Sequence, residues 1–226
     1  MGFEKGPFRR RSRIFNPDLK GFILMKRNFI FAAAISILLA GCGPGSSVSS
    51  TSGVVGLGQK CPDFTLENCD GRFFKSTDLQ PGWYLVLIFY RGHWCSACQN
   101  QLLNLKDDFA KFSALHTALA AVSVDPVEDA AAFNDQWRFP FPLLADTQLK
   151  LIDAFGVRHP QGHEGKDISR PAVVIIDPNK MIRFKYVGQN PQDRPTDDEI
   201  LFSVQQIEKL DAAAPAVPAP PVGAKS

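Results

Sequence analysis

No stretch of this chain stays apolar for the roughly twenty residues that a bilayer-crossing helix needs. The longest apolar run, Phe29 to Ala40, is 12 residues, which excludes a multi-span membrane protein. No internal repeat is present. Net charge is also scarce, a formal +2 over 226 residues, and it is unevenly placed. Residues 1–41 carry eight Lys/Arg against Glu4 and Asp18, a surplus of six, so residues 42–226 stand at −4. A mildly acidic body lacks the basic footprint that nucleic acid requires. Cysteine is sparse at five residues, with a single C-x-x-C pair, Cys95 and Cys98. Cys61 and Cys69 are eight apart and the four histidines are scattered, so the two further ligands of a zinc site are not apparent. What the chain does have is 45% hydrophobic residues. That excludes a disordered or collagen-like chain, and the length allows one well-buried domain with extensions.

The positive surplus belongs to a leader. Met25-Lys26-Arg27-Asn28 before the short apolar run has the layout of a secretory signal, with Met25 a better start than Met1. The run ends in Leu39-Ala40-Gly41-Cys42, which resembles the lipobox of bacterial lipoproteins. That resemblance implies cleavage before Cys42 and a lipid on Cys42. Residues 1–24 then read as an upstream extension, 25–41 as a signal peptide, and 42–56 as the lipidated cysteine with a flexible Gly/Ser-rich tether. The expected location is the cell envelope: a membrane-anchored lipoprotein facing the periplasm. Gly43, in place of Asp, resembles the default for the outer membrane. In such a compartment a C-x-x-C pair is either kept reduced or used in cycles.

Residues 57–210 read as one domain, followed by a Pro/Ala-rich, disordered tail at 211–226. Extended runs on either side of Asp70-Gly71 predict a hairpin. Tyr84 to Tyr90 is an unbroken apolar run, the mark of a strand covered on both faces. Apolar residues from Leu102 to Leu115 recur near helical spacing, and Leu119 to Val124 is strand-like. Helices are expected from Pro126 to Trp137 and from Thr147 to Phe155. Ala172 to Ile176 and Ile182 to Val187 read as strands. Residues 196–210 read as a closing helix, opened by Thr196 as N-cap with Glu199 three residues on. The expected fold is α/β, a mixed central sheet with helices on both faces and an N-terminal β-hairpin.

Trp94-Cys95-Ser96-Ala97-Cys98 falls where the buried strand ends and the next helix begins. Two cysteines so spaced can close a small disulfide ring, and a helix N-terminus favours thiolate. Arg91 and His93 make the surroundings more positive, and Trp94 can shield the pair or pack on the domain. His159 and His163, in a polar Gly-rich stretch, could join the cysteines in a copper site. A static structural disulfide and a zinc site are the other readings of the pair, beside redox cycling.

These segments resemble the alkyl hydroperoxide reductase/thiol-specific antioxidant (AhpC/TSA, peroxiredoxin-like, redoxin) branch of the thioredoxin-like superfamily. The match runs through Gly58 to Leu66, Phe89 to Cys98, Val122 to Asp125 and Arg170 to Asp177. The resemblance implies a thioredoxin-like fold with no cofactor, acting as an antioxidant oxidoreductase, a peroxidase with a redox-active disulfide. Its implied partners are a hydroperoxide or disulfide substrate and a thiol reductant such as a thioredoxin-like protein. Laid on the pattern Pro-x-x-x-Thr/Ser-x-x-Cys, Cys98 takes the peroxidatic place, while Cys95 replaces Thr/Ser and Arg91 replaces proline. Arg170 is the candidate peroxidatic arginine, and Pro171 the candidate cis-proline. Laid on the membrane-anchored thiol–disulfide reductases, Cys95 is instead the exposed nucleophile. Copper-delivery relatives use a Cys-x-x-x-Cys spacing one residue wider. Three functions therefore stay open: peroxidase, disulfide reductase and copper delivery.

Overall fold

The computed structural model describes residues 45–49 and 53–213. The upstream extension, the signal peptide, Cys42 and most of the expected tail lie outside them. The chain runs β1 (Ser47–Val48), β2 (Phe64–Asn68), β3 (Phe73–Lys75), β4 (Tyr84–Phe89), α1 (Ser96–Asp107), α2 (Phe109–Ala114) and β5 (Thr117–Ser123). It continues through α3 (Val127–Trp137), β6 (Leu143–Ala145), α4 (Lys150–Ala154), β7 (Arg158–His163), β8 (Lys166–Ser169), β9 (Ala172–Ile176), β10 (Ile182–Val187) and α5 (Asp197–Ala213). The main sheet has the order β1-β2-β6-β5-β4-β9-β10, with β3 pairing onto β2, and β7-β8 form a separate ribbon. β4 runs parallel to β5 and antiparallel to β9, which makes the sheet mixed.

β4 shows why the sheet sits in the middle. Every residue in it is buried, and its side chains alternate between two cores. Val86, Ile88 and the adjoining Tyr90 pack with Leu102, Phe112, Phe133 and Val204 of α1, α2, α3 and α5. Leu85, Leu87 and Phe89 face the other way, against Leu151, Ile152 and Phe155 around α4. Helices therefore cover both faces, as the alternating periods require.

The Asp70-Gly71 hairpin forms as expected, with Gly71 at φ +78, a left-handed value that favours glycine. The capping box also forms: Glu199 Oε2 accepts from Thr196 N at 2.8 Å, and Thr196 Oγ1 accepts from Glu199 N at 3.2 Å.

Five features differ from expectation. Ser47 and Val48, placed in the tether, pair with Thr65 and Phe64, because the edge of β2 offers free backbone groups there. Val55 is buried too, its N–H bonded to Ala154 O. α5 runs past residue 210 to Ala213, because Asp211 accepts from Tyr84 Oη and Arg183 Nη1. α4 begins at Lys150, not Thr147, since the Asp146 carboxylate accepts from Lys150 N and Ile152 N. The polar Gly-rich stretch 158–165, where no strand is expected, forms β7 and the turn that joins it to β8. No peptide bond is cis among the described residues, so Arg170–Pro171 is trans, the lower-energy isomer of an X-Pro bond.

Candidate active site

β4 delivers the chain to the end of the sheet, and residues 90–94 turn it into α1. Cys95 is the N-cap of that helix, its Sγ accepting from Cys98 N at 3.3 Å. Cys95 and Cys98 are joined by a disulfide with their Cα atoms 5.2 Å apart. The first turn of α1 offers N–H groups and a partial positive charge, which stabilise a thiolate on either sulfur after reduction. Cys95 was expected to stand exposed. It is the more open of the two, but at 5% against 1% exposure both are enclosed.

A buried carboxylate holds the loop ahead of the pair. Asp125, just past β5, accepts from His93 N at 2.8 Å and Ser123 Oγ at 2.9 Å, and its Oδ1 lies 3.1 Å from His93 Nδ1. His93 O accepts from Gln99 Nε2, which ties the loop to α1. Gly92 sits at φ +155, and a Cβ there would come within 2.5 Å of Trp94 Nε1 and 3.0 Å of Asp125 Oδ1. Only glycine fits that turn without moving the loop.

The tip of the β7-β8 ribbon folds onto this loop. His163 stacks on Trp94 with ring centroids 3.5 Å apart and planes 15° apart. Arg91 lies with Cζ 4.9 Å from the centroid of the Trp94 ring and donates to Gly162 O at 3.0 Å. The expected site residues Arg91, His93, Trp94, Cys95 and Cys98 are thus brought together.

No hydrogen bond among the described residues joins Arg170 or Pro171 to that group. Arg170 N bonds Val157 O, and its guanidinium has no hydrogen bond or ion pair among the described residues. Pro171 O accepts from Gly188 N, where β9 and β10 part. The arginine against the sulfur is another one, Arg194, whose Nη2 lies 3.6 Å from Cys98 Sγ. Its Nη1 donates to Gln101 Oε1 at 2.9 Å and its Nε to Pro191 O at 3.1 Å. Burial, and secondarily the charge of Arg91, push Arg194 down to about 10. Arg194 also lines two open grooves of about 530 and 280 Å³, the larger walled by Phe184, Tyr186 and Phe202. Its contact with Cys98 spans 96 residues of sequence, and no local pattern announces it.

The copper grouping does not assemble. Among the described residues, the one set of three or more His, Cys, Asp or Glu ligand atoms within 4.8 Å of one another is Asp108, Asp197 and Asp198. Cys61 and Cys69 are free and buried, and they belong to opposite cores, so they do not pair. Burial, reinforced by Asp63, pushes the Cys61 thiol up to about 12, and burial raises Cys69 as well.

Residues 57–185 match the model of the AhpC/TSA family. The chain is 31% identical to peroxiredoxin Bcp of Bacillus subtilis over 130 residues, 56% of this chain and 82% of that one. It is 29% identical to a peroxiredoxin of Nanoarchaeum equitans over 172 residues, 72% of this chain and 75% of that one. Among solved structures, the peroxidoxin BcpB of Mycobacterium tuberculosis superposes with a TM-score of 0.60 at 25% identity. It covers 67% of this chain and 97% of its own.

Proposed function

Since the chain belongs to the AhpC/TSA family, we propose that it is a thiol-dependent peroxidase in which Cys98 attacks and Cys95 resolves. The Cys98 thiolate takes the terminal oxygen of a hydroperoxide, breaking the O–O bond. The peroxide leaves as an alcohol or water, and Cys98 becomes a sulfenic acid. The Cys95 thiol then displaces water from that sulfenic acid and closes the Cys95–Cys98 disulfide. An external thiol reductant, of thioredoxin-like chemistry, reopens the bridge by exchange and leaves oxidised.

One observation carries the choice of attacking sulfur: Arg194 Nη2 stands 3.6 Å from Cys98 Sγ. A guanidinium there stabilises the thiolate and offers donors to a peroxide oxygen. Gly92, Asp125 and Gln99 keep the loop in place, so Cys95 stays within reach of Cys98. The test is steady-state consumption of hydrogen peroxide and of an alkyl hydroperoxide by the full chain, with a thioredoxin-like donor. Turnover is expected, and it is lost in Cys98→Ser.

The disulfide-reductase reading has one observation in its favour, the N-cap position of Cys95 with its sulfur on the Cys98 N–H. Insulin reduction that outruns peroxide turnover, and is lost in Cys95→Ser, would select it.

We further propose that the protein is a lipoprotein of the cell envelope, held through Cys42 in the outer membrane and facing the periplasm. Its support is the Leu39-Ala40-Gly41-Cys42 motif after a short apolar run. Incorporation of labelled palmitate into the full chain, lost in Cys42→Ser, tests it.

A further inference from the structure

Arg194 belongs to two settings at once. Its Nη2 lies 3.6 Å from Cys98 Sγ, and the same residue lines the groove of about 530 Å³ between β10 and α5. Phe184 and Tyr186 of β10 and Phe202 of α5 give that groove its aromatic walls. Phe184 also packs against the buried cluster that contains Cys98, a second link between groove and sulfur. Phe202 is 60% exposed, so its ring meets water where a guest can cover it. A cleft of this size falls in the range that small ligands fill, about 300–1,000 Å³. Asp198 and Glu199 stand on the same lining, and Arg194 is the one cation among the residues that form it. That cation is already engaged by Gln101 Oε1, Pro191 O and Cys98 Sγ, so a carboxylate on a guest meets like charge without a free partner. The smaller groove shares Arg194 and Pro195 with the first, but the amides of Asn100, Gln101 and Asn104 line it and suit polar guests.

We propose, resting on the peroxidase reading of Cys98, that this groove takes the organic group of an uncharged hydroperoxide and that Phe184 and Phe202 set the preference for it. A peroxide oxygen within hydrogen-bond reach of Arg194, about 3 Å, carries its organic group one bond further out, toward the aromatic walls. The Cys98 thiolate takes the terminal oxygen with its proton and becomes the sulfenic acid as the O–O bond breaks. The organic group leaves as an alkoxide and draws a proton from solvent to become the alcohol. Hydrogen peroxide has no organic group and gains nothing from the rings. The groove therefore acts on the choice between hydroperoxides, through apolar contact with the part of the substrate that does not react.

The test is the ratio of kcat/KM for cumene hydroperoxide to kcat/KM for hydrogen peroxide, measured on the full chain and three variants. Phe202→Ser removes an exposed ring from the groove and is expected to lower that ratio about tenfold. Phe202→Leu keeps an apolar wall and is expected to recover most of the loss. Leu210→Ser removes an equally exposed apolar side chain from the same helix, outside the groove, and is expected to keep the native ratio. An unchanged ratio in Phe202→Ser overturns the proposal. So does an equal fall in Leu210→Ser, which would assign the effect to α5 at large.

Two further measurements need no substitution. The native protein is expected to favour cumene hydroperoxide over its ring-carboxylated analogue by about tenfold in kcat/KM, a gap that narrows as salt is added. Equal values at every salt concentration overturn the choice of an uncharged guest. In the oxidised native chain, the product cumyl alcohol is expected to shift the ring resonances of Phe184 and Phe202, and shifts confined to other residues overturn the proposal. Failure of the peroxidase reading shows itself differently, as no consumption of either peroxide by the native chain.

Discussion

Arg194 offers the sharpest quantitative test of the site. Its Nη2 contact with Cys98 Sγ at 3.6 Å becomes charge-assisted once the sulfur is a thiolate. Contacts of a charged partner are worth about 1.5–3 kcal/mol. Because thiolate and peroxide oxygen both draw on the same guanidinium, Arg194→Met is expected to lower the second-order rate with hydrogen peroxide roughly 10- to 150-fold. The substitution also strips Gln101 Oε1, in a 93%-buried residue, of its donor. That loss costs about 1–3 kcal/mol of stability. The two effects are separable. In Arg194→Met/Gln101→Met the stranded oxygen is gone, so stability returns toward native while the rate stays low. Arg194→Lys keeps the charge but not the planar fork that reaches Cys98, Gln101 and Pro191 together, and is expected to fall between. Stopped-flow fluorescence, with Trp94 beside the pair as reporter, measures the rate, and urea midpoints measure stability. A rate within threefold of native in Arg194→Met (less than about 1 kcal/mol), or recovery in the double variant, would refute the reasoning.

Three further outcomes follow from named contacts. Asp125→Ala removes the acceptor of His93 N and Ser123 Oγ and is expected to cost about 2 kcal/mol in urea unfolding. It is also expected to slow closure of the Cys95–Cys98 bridge after peroxide, read as a longer-lived sulfenate. With its thiol at about 12, Cys61 is thiolate in only about 10⁻⁴ of molecules at pH 8. Iodoacetamide is therefore expected to label Cys95 and Cys98 of the reduced native chain and leave Cys61 untouched. Burial pushes Asp146 up to about 6 from 3.8, outweighing its backbone N–H partners. Its stabilising share is present below pH 3.8 and lost as pH rises through 6, about 3 kcal/mol in all. Urea midpoints across that window are expected to fall in the native protein, and to lose this component in Asp146→Asn.

Much of the fold was legible because burial writes itself into local pattern. The unbroken run of β4 and the Thr196/Glu199 capping box each announce an element within a few residues. The motif at the start of α1 was legible for the same reason, since a helix N-cap is a local event. What stayed hidden depends on tertiary position. β6 is three residues long, directly after Pro142, and inherits its identity from β5. The β7-β8 ribbon is polar because it pairs outside the main sheet, so no apolar alternation marks it. Arg194 and Asp125 look like ordinary surface charges in sequence, and only the folded chain sets one on Cys98 and the other beneath His93. Arg170, the arginine that the resemblance nominated, makes no side-chain hydrogen bond or ion pair among the described residues, and its backbone N is bonded to Val157 O.

The division of labour between the two sulfurs is tested most directly by stopped-flow oxidation of the reduced Cys95→Ser and Cys98→Ser variants with hydrogen peroxide, trapping sulfenate in each. Rapid sulfenate on Cys98 in Cys95→Ser, and none on Cys95 in Cys98→Ser, is the expected result. Rapid sulfenate on Cys95 alone would contradict it.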